Sequence, residues 1–453
     1  MKITLFFTLL MMSTFSFAGW KIRNSVVDER KDGTYELREY NADLVPVLEL
    51  DEGSMLVSCS LNGKKCGPGE KLFLNGKLPE KFGERILNFS FRENKNTTKV
   101  KLHLLPASFP YFKMAGTSVI NKPLITAVYQ LPIQLNSSEE QGCHLLILSP
   151  KGELLFQRKI NEQCSDFRPH DINGERYYSY QIVDQTEISV GFFGPRVILD
   201  PAMKPVKTVA YGYDGHEFIL YGLDHWLGME VELGRMISGL PYLDKRIRER
   251  KDGKILFDWG ASDYIKQFGS EAMATSYLAS FQGEVVGELL HLNAIQTIGD
   301  KGLLISLGMN GVAYLNKETK KIDWVLGGFN DQFSLRKEEH PVFLHNPWFD
   351  PATSRLVLFS NWGFGLAKYS RVLAYDLDLK EKRVKKFTEL RAKDELVMIQ
   401  GSLQLTEGVL TLSFGTKEKA KNDIVEMKGA EETWALSFGK GRHVYRAYRA
   451  PWP

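Results

Sequence analysis

The segment that decides the fold is GLLISLGMNGVAYLNKETKKIDWVLGG, residues 302–328. Within it, short runs rich in aliphatic and aromatic residues at 303–306, 312–315 and 322–326 are separated by Gly, Asn, Lys and Asp. Short apolar runs bounded by such residues are typical of β-strands joined by tight turns. A Gly-Gly pair closes the segment, where a turn requires backbone conformations that other residues avoid. The segment therefore predicts a meander of strands.

Similar units recur along the chain. Residues 143–148 are followed by a Pro-Lys-Gly turn and a second apolar run at 154–156, and residues 355–359 lead to a partner run at 372–375. A weaker unit surrounds residues 215–221. A strand meander repeated at roughly 40 to 50 residues is typical of a β-propeller. The sequence thus predicts an all-β chain whose main domain is a β-propeller.

Some segments depart from this pattern. Residues 226–250 and 262–280 carry apolar side chains at helical spacing, which predicts short helices or long loops inserted between propeller blades. Residues 42–110 combine short alternating strands with Asn and Gly turns, which favours a small β-sandwich ahead of the propeller. We therefore expect an N-terminal β-sandwich-like domain at 19–110 and a propeller at 111–453.

Residues 1–18 have the features of a secretory signal peptide. Lys2 precedes an apolar run at 3–12, and the small residues Ser16 and Ala18 stand before the expected cleavage site. The apolar run is shorter than the ~20 residues that a membrane-spanning helix needs, and no later stretch reaches that length. The sequence predicts an exported protein without a membrane span, which is periplasmic if the host has two membranes.

Four cysteines agree with an oxidising destination. Cys59 and Cys66 bracket a short polar turn, and Cys143 and Cys164 bracket a strand pair, so two local disulfides are the favoured interpretation. A metal site is the alternative, although the spacings lack the paired two-residue gaps of zinc modules. Four cysteines allow three pairings, and the spacing does not decide among them. Disulfide formation implies contact with the oxidising machinery of the destination compartment.

Charge and composition exclude some partners. The formal net charge is only +3 over 453 residues, so no basic field is available to attract nucleic acid. A hydrophobic content of 43% supports a sizeable core, which is ordinary for a globular protein. We find no phosphate-binding glycine loop, no cluster of metal ligands and no serine-nucleophile elbow. The sequence does not indicate an oligomeric state.

Two histidines begin strand-turn-strand units within the β pattern. His291 follows Glu288 and Leu289 and is followed by Asn293, and His345 opens the segment that runs to 359–363, Phe-Ser-Asn-Trp-Gly. The order and spacing of these residues resemble the bacterial arylsulfotransferase family, whose enzymes move sulfate between phenols without a nucleotide donor. The resemblance implies a β-sandwich followed by a six-bladed propeller, with no cofactor.

The resemblance also implies roles for these residues. His345 stands where these enzymes keep the histidine that is transiently sulfated, and His291 stands where a second histidine binds and polarises the sulfuryl group. Asn293 matches the asparagine of the same family segment and is a candidate substrate-binding residue. Imidazole suits this chemistry because its neutral nitrogen attacks at ordinary pH and leaves readily afterwards. The implied partners are a small aromatic sulfate and a phenol.

The sequence departs from the family pattern at three places. The Asp-Trp that precedes the second histidine is here Glu288-Leu289. The Ser-Ser-Arg that brings an arginine to the sulfate corresponds to residues 305–307 or 306–308, where no arginine is present. The position of an upstream histidine falls at about Lys207, ahead of a turn at 214–215. A missing arginine removes a planar donor suited to sulfate.

These departures leave several assignments open. Lys207 is a candidate for the missing positive charge, although a solvated surface lysine is an equal interpretation. His216 follows the turn at 214–215 and is expected outside the site. His225 and His340 lie in turn-like segments, and either is an alternative to the histidines assigned above.

Three functions are compatible with these residues. The first is an exported arylsulfotransferase that works through a sulfohistidine. The second is a catalytically inactive propeller that serves as a ligand-binding or protein-interaction module of the cell envelope, which the missing arginine favours. The third is a quinone-dependent dehydrogenase propeller, whose tryptophan-rich repeats are not visible in the sequence.

Overall fold

A computed structural model describes residues 19–69, 71–72, 85–130, 142–183, 194–209, 213–235, 241–269, 275–281, 284–361, 369–391, 396–419, 421–439 and 441–452. Strands account for nearly all regular structure in these residues, so the prediction of an all-β protein is confirmed. The predicted signal peptide lies outside the described residues. None of the helices in the described ranges is long and apolar enough to cross a membrane. The chain divides into two compact units, Met1–Tyr111 with Glu153–Lys159, and Phe112–Gly152 with Ile160–Pro453.

The first unit contains two β-sheets. One is a six-stranded sheet in the order β2-β3-β9-β8-β6-β7, in which only β3 and β9 run parallel, and the other pairs β1 with β5. Trp20 of β1 packs edge-on against Phe89 of β8, with ring centroids 5.1 Å apart. A disulfide joins Cys59 to Cys66 beside the short β6–β7 turn. The strands are β1 Trp20–Arg23, β2 Val27–Glu29, β3 Tyr35–Leu37, β4 Glu39–Asn41, β5 Val47–Leu50, β6 Met55–Leu61, β7 Lys64–Lys65, β8 Ile86–Glu93 and β9 Asn96–His103.

The next strands belong to the second unit, except β13, which belongs to the first unit as far as Lys159. The strand β11 pairs antiparallel with β12, and a four-stranded antiparallel sheet follows in the order β14-β15-β16-β17. A second disulfide joins Cys143 to Cys164, so the predicted local pairing of all four cysteines is confirmed. The strands are β10 Lys113–Gly116, β11 Leu124–Gln130, β12 Cys143–Leu148, β13 Leu154–Ile160, β14 Cys164–Ile172, β15 Glu175–Ile182, β16 Arg196–Leu199 and β17 Pro205–Val209.

The third sheet of this unit corrects one prediction. Residues 226–250, expected as helices or loops, form most of the long antiparallel strands β19 and β20, because Leu227 and Met229 are buried at a spacing of two. The segment 262–280 is part helix, as predicted, and part strand. The elements are β18 Tyr213–Gly222, β19 His225–Arg235, β20 Pro241–Lys251, β21 Lys254–Gly260, α1 Ala261–Phe268, β22 Thr275–Phe281 and β23 Glu284–Leu289.

The remaining strands form further antiparallel meanders. Two are four-stranded, β24-β25-β26-β27 and β28-β29-β30-β31, and a third has the order β10-β37-β36-β34-β33. The late strands β38 and β39 both pair with β11. The strands are β24 Ala294–Ile298, β25 Gly302–Ser306, β26 Val312–Asn316, β27 Lys321–Leu326, β28 Leu344–Asp350, β29 Arg355–Ser360, β30 Arg371–Asp378, β31 Arg383–Leu390, β32 Leu396–Ile399, β33 Ser402–Thr406, β34 Val409–Ser413, β35 Thr416–Lys419, β36 Ile424–Lys428, β37 Glu431–Ser437, β38 Arg442–His443 and β39 Ala447–Arg449.

Successive sheets pack face to face, which explains the apolar segment 302–328. Leu303 and Ile305 of β25 point into one core, together with Ile247 of β20. Leu304, between them, points into a second core with Leu358 of β29. A strand that is buried on both faces requires apolar residues at consecutive positions rather than strict alternation.

Candidate functional site

Three histidines of the second unit lie close together. The rings of His216 and His291 make an edge-to-face contact with centroids 5.1 Å apart. Burial, and then the neighbouring His291 and His216, lower the pKa of His345 from 6.5 to about 3. The structure thus brings together the two histidines assigned from the sequence. It adds His216, which was expected elsewhere: the 214–215 turn lies within β18, whose register is irregular between Asp214 and Phe218.

The imidazole of His345 is held at one nitrogen. Its Nδ1 lies 2.7 Å from Asn361 Oδ1 and 3.2 Å from the carbonyl oxygen of Phe343. Asn361 Nδ2 donates to the carbonyl of Gln400 at 2.7 Å, which fixes the orientation of the Asn361 amide. Because both partners of Nδ1 are acceptors, Nδ1 carries the proton and Nε2 carries the lone pair. The nitrogen available for attack is therefore Nε2.

Carboxylates hold the other two histidines in the same way. His291 Nδ1 lies 2.9 Å from Glu288 Oε1, and His216 Nδ1 bonds Asp214 Oδ1. An ionised carboxylate only accepts hydrogen bonds, so each neutral imidazole donates from Nδ1 and keeps its lone pair on Nε2. Glu288 thus supplies a carboxylate although the family's Asp-Trp is absent. All three histidines share one tautomer.

A buried lysine joins the two carboxylates. Lys245 Nζ lies 2.8 Å from Asp214 Oδ2 and 2.6 Å from Glu288 Oε1, and all three side chains are inaccessible to solvent. The three residues come from β18, β20 and β23, which belong to one sheet. We call the set His216, Asp214, Lys245, Glu288 and His291 the lysine-bridged histidine pair.

The charges in this set stabilise one another. Burial opposes ionisation of Glu288, but His291 and Lys245 outweigh burial and lower the pKa of this carboxyl from 4.5 to about 2. Burial likewise opposes the charge of Lys245, but Asp214 and Glu288 raise its pKa above 10.5. Burial lowers the pKa of His216 to about 4, and the charges of Lys245 and His291 add to this effect against the opposing influence of Asp214. At neutral pH the set therefore holds one ammonium, two carboxylates and a neutral His216.

Asn293 supports the backbone beside His345. Its amide nitrogen donates to the carbonyl of Leu344 at 2.6 Å, and the hydroxyl of Ser306 reaches the same oxygen at 3.3 Å. The Asn293 side chain is fully buried, and its Oδ1 has no hydrogen-bond partner among the described residues. An acceptor oxygen without a hydrogen-bond donor does not suit an anion, so the structure favours a positioning role for Asn293.

The place of the missing arginine lies against His291. A Cβ atom at Gly308 would stand 2.8 Å from His291 Cβ, and the Gly308 φ of 61° is one that other residues rarely adopt. Leu307 is fully buried in the core. Neither position offers a cation or room for one.

Lys207 does not join the histidines. Its ammonium pairs with Asp224 in an exposed contact and lies 5.0 Å from the centroid of the Trp226 ring. These contacts agree with the surface interpretation of Lys207, and its role in substrate binding stays a prediction. His225 bonds Glu249 and His340 bonds a backbone carbonyl, so neither replaces His291 or His345.

A second charged cluster of this unit involves late residues of the chain. Glu217 Oε2 accepts from Arg446 Nη1 at 2.9 Å and from the Ile295 amide at 3.1 Å, while Glu217 Oε1 pairs with Arg168. Arg446 also donates to the carbonyl of Asn293 at 2.9 Å. This buried arginine is thus engaged by protein acceptors and is not free to bind a sulfate.

Sequence reasoning missed Lys245, Asp214 and Arg446. Lys245 opens the run KRIRERK at 245–251, whose composition is typical of a solvated strand. Across the described residues, no group of three or more His, Cys, Asp or Glu side chains is arranged to hold a metal ion.

Comparison with known proteins gives several solved structures and one family match. Solved structures similar to the chain include a quinoprotein alcohol dehydrogenase-like protein from Bacteroides thetaiotaomicron, with 11% identity, a TM-score of 0.39, and coverage of 90% of this chain and 93% of that one. Another is the periplasmic gluconolactonase PpgL of Pseudomonas aeruginosa, with 8% identity, a TM-score of 0.40, and coverage of 73% and 99%. No curated protein matches the chain. The profile of the family described as arylsulfotransferase (ASST) matches residues 246–428, which include His291 and His345. The resemblance is thereby confirmed over residues 246–428, the part of this chain that is similar to the arylsulfotransferase family.

Proposed function

We propose that this protein transfers a sulfuryl group from an aryl sulfate to a phenol through His345. The observation that carries the proposal is the tautomer of His345, since Nδ1 is held by two acceptors and Nε2 keeps the lone pair. The low pKa of His345 keeps it neutral at ordinary pH. A nucleophile of this kind needs no cofactor.

The reaction has two balanced steps. In the first, Nε2 of His345 attacks the sulfur of the aryl sulfate, an N–S bond forms, and the S–O bond breaks with its electron pair leaving on the phenolate. In the second, the acceptor phenol loses its proton, its oxygen attacks the same sulfur, and the N–S bond breaks to restore His345. Nε2 of His216 or His291 is the base that takes the phenol proton.

No arginine stands at residues 305–308, where the family pattern has one, so the positive charge for the sulfate must come from another residue. Lys245 is neutralised by two carboxylates, and Arg446 by Glu217. The compensating charge comes from His216 or His291 once it accepts a proton, with Asp214 or Glu288 as counter-ion. Charged imidazole donors directed at the sulfate oxygens then stabilise the transition state.

A burst experiment tests the proposal. A chromogenic aryl sulfate is mixed with the protein without acceptor, and we expect up to one equivalent of phenol per protein, followed by turnover when a second phenol is added. His345→Ala should abolish both, whereas His340→Ala, a matched change at a histidine bonded only to a backbone carbonyl, should not. Equal release from His345→Ala and the native protein would refute the function.

The second candidate is a propeller that binds a small anion or a protein without transforming it. The observation that favours it is that Lys245 and Arg446, two buried cations of this region, are both paired with carboxylates. Absence of a burst, with saturable binding of the aryl sulfate, would select this function.

We also propose the finer architecture and location. The meanders of the second unit would form a six-bladed propeller at 111–453, behind a sandwich-like domain at 19–110. Pairing of the early strand β10 with the late strand β37 supports such closure. The two disulfides support export to the periplasm after loss of residues 1–18. Small-angle scattering and N-terminal sequencing of the mature protein test these points.

A further inference from the structure

We propose that Lys245 is the positioning residue that sets the protonation of His216 through the bridge that it forms between Asp214 and Glu288. The ammonium contacts Asp214 and Glu288, and each of these carboxylates holds the Nδ1 atom of one histidine. The inference deepens the proposed function, on which its catalytic consequence rests. Its structural part stands independently, because the protonation of a histidine is measurable without any substrate.

The geometry makes the lysine indispensable to the arrangement. Lys245 and both carboxylates are fully buried, so water cannot replace the ammonium as their partner. Two unpaired carboxylates in such a site would recruit protons, and the nearest bases are the histidines that they already hold. The ammonium therefore keeps the carboxylates ionised without protonation of the imidazoles.

Several groups of known position surround His216. Its ring faces Asp214 from its own strand, Lys245 from β20, His291 from the segment after β23, and Tyr445, whose ring centroid lies 6.0 Å away. His345 adds a neutral imidazole from β28. Among these groups only Lys245 is a permanent cation, so its removal shifts the balance towards a charged His216.

A single bridge couples the two histidines. When His216 gains a proton, Asp214 acquires a second cationic partner and its ion pair with Lys245 weakens. The ammonium of Lys245 then pairs mainly with Glu288. In the absence of an arginine, the positive charge that pairs with the sulfate is thus a proton that His216 gains when the anion binds and loses when the anion leaves. Lys245 prevents permanent protonation of His216, which would retain free sulfate in the site as an inhibitor.

The test is the titration of His216 in Lys245→Met, followed by imidazole ¹⁵N NMR and assigned with His216→Gln. We expect the His216 midpoint to rise by about one pH unit or more, because a full charge is lost one carboxylate away. A rise below roughly 0.3 unit overturns the inference. If Lys245→Met does not fold, Lys245→Met/Glu288→Gln, which removes one charge of each sign, gives the same reading at His216.

The chain contains a matched control. Lys317 pairs with Glu249 at 2.6 Å, and Glu249 bonds His225 Nε2 at 2.7 Å, which repeats the lysine–carboxylate–histidine arrangement elsewhere. Lys317→Met should leave the His216 midpoint and phenol release unchanged. In Lys245→Met the turnover that follows addition of the acceptor phenol should slow at least about tenfold at pH 7, because a protonated His216 cannot take the phenol proton, and the pH profile of this turnover should move to higher pH. Slower turnover with an unmoved profile would show a merely structural lysine and overturn the inference, whereas a native protein without a burst refutes only the function.

Discussion

Replacement of Glu217 by glutamine tests the buried cluster that joins distant parts of the second unit. Glu217 is 2% exposed and forms ion pairs with the guanidinium groups of Arg168 and Arg446. Removal of one partner of a buried ion pair typically costs about 3–5 kcal/mol. Glutamine keeps a carbonyl acceptor for one of these donors, so we expect a loss near the lower limit, about 3 kcal/mol.

The loss should depend on pH with a defined sign. Burial opposes ionisation of Glu217, but Arg168 and Arg446 outweigh it and hold its pKa below 4.5. A carboxyl whose pKa is lowered in the folded state contributes its full stabilisation above the unfolded pKa and loses it as the pH falls through the folded pKa. The difference between native protein and variant should therefore be constant above pH 4.5 and shrink by up to about 1.4 kcal/mol for each pH unit below it.

Urea unfolding followed by tryptophan fluorescence at pH 7 and pH 3.5 measures this difference. Glu318→Gln is the control, because Glu318 pairs with Lys301 on the surface, where both side chains are more than half exposed, and its midpoint should not move. A loss below about 1 kcal/mol at pH 7, or a larger loss at pH 3.5, would refute the account of the cluster.

Three further predictions follow from the site and the disulfides. Asn361→Leu removes one acceptor of His345 Nδ1 and should slow phenol release about tenfold, the worth of one hydrogen bond; because buried Asn361 also donates to Gln400, the free energy of unfolding in urea should fall by about 1–3 kcal/mol, and an unchanged tryptophan fluorescence spectrum is the check on folding. The burst rate should show no inflection near pH 6.5 and should fall only as the pH approaches 3, since the pKa of the nucleophile His345 is lowered to about 3; a stopped-flow pH profile decides this. Replacement of Cys143 and Cys164 by serine should cost about 3 kcal/mol and more than the same change at Cys59 and Cys66, because the closed loop is longer, as differential urea midpoints would show.

The sequence predicted the β pattern well because burial on both faces leaves a direct record in segments such as 302–328. The motif spacing led to His291 and His345, whose rings the structure brings near each other. Lys245 escaped notice because its charged neighbours suggest a solvated strand, and its burial arises only when β18, β20 and β23 meet in one sheet. Lys207 was chosen from its position along the chain, which carries no information about the direction of a side chain.

The predicted helices at 226–250 show the same limit. Apolar residues there fit a helical spacing and an alternating one equally well, and the long partner strand decided between them. Arg446 illustrates the converse case, since it lies 229 residues from its partner Glu217. A local sequence pattern cannot predict a contact between residues so far apart along the chain.

The long sequence separation between Glu217 and Arg446 has a consequence for folding during synthesis. The residues that complete the cluster around Glu217, and the strands that pair with β11, lie at 442–449. Contacts so distant along the chain form late, because their loop entropy must be overcome before they contribute. A ribosome-bound chain that still lacks this segment cannot complete its second unit. The second unit therefore completes its folding only after these strands have been synthesised.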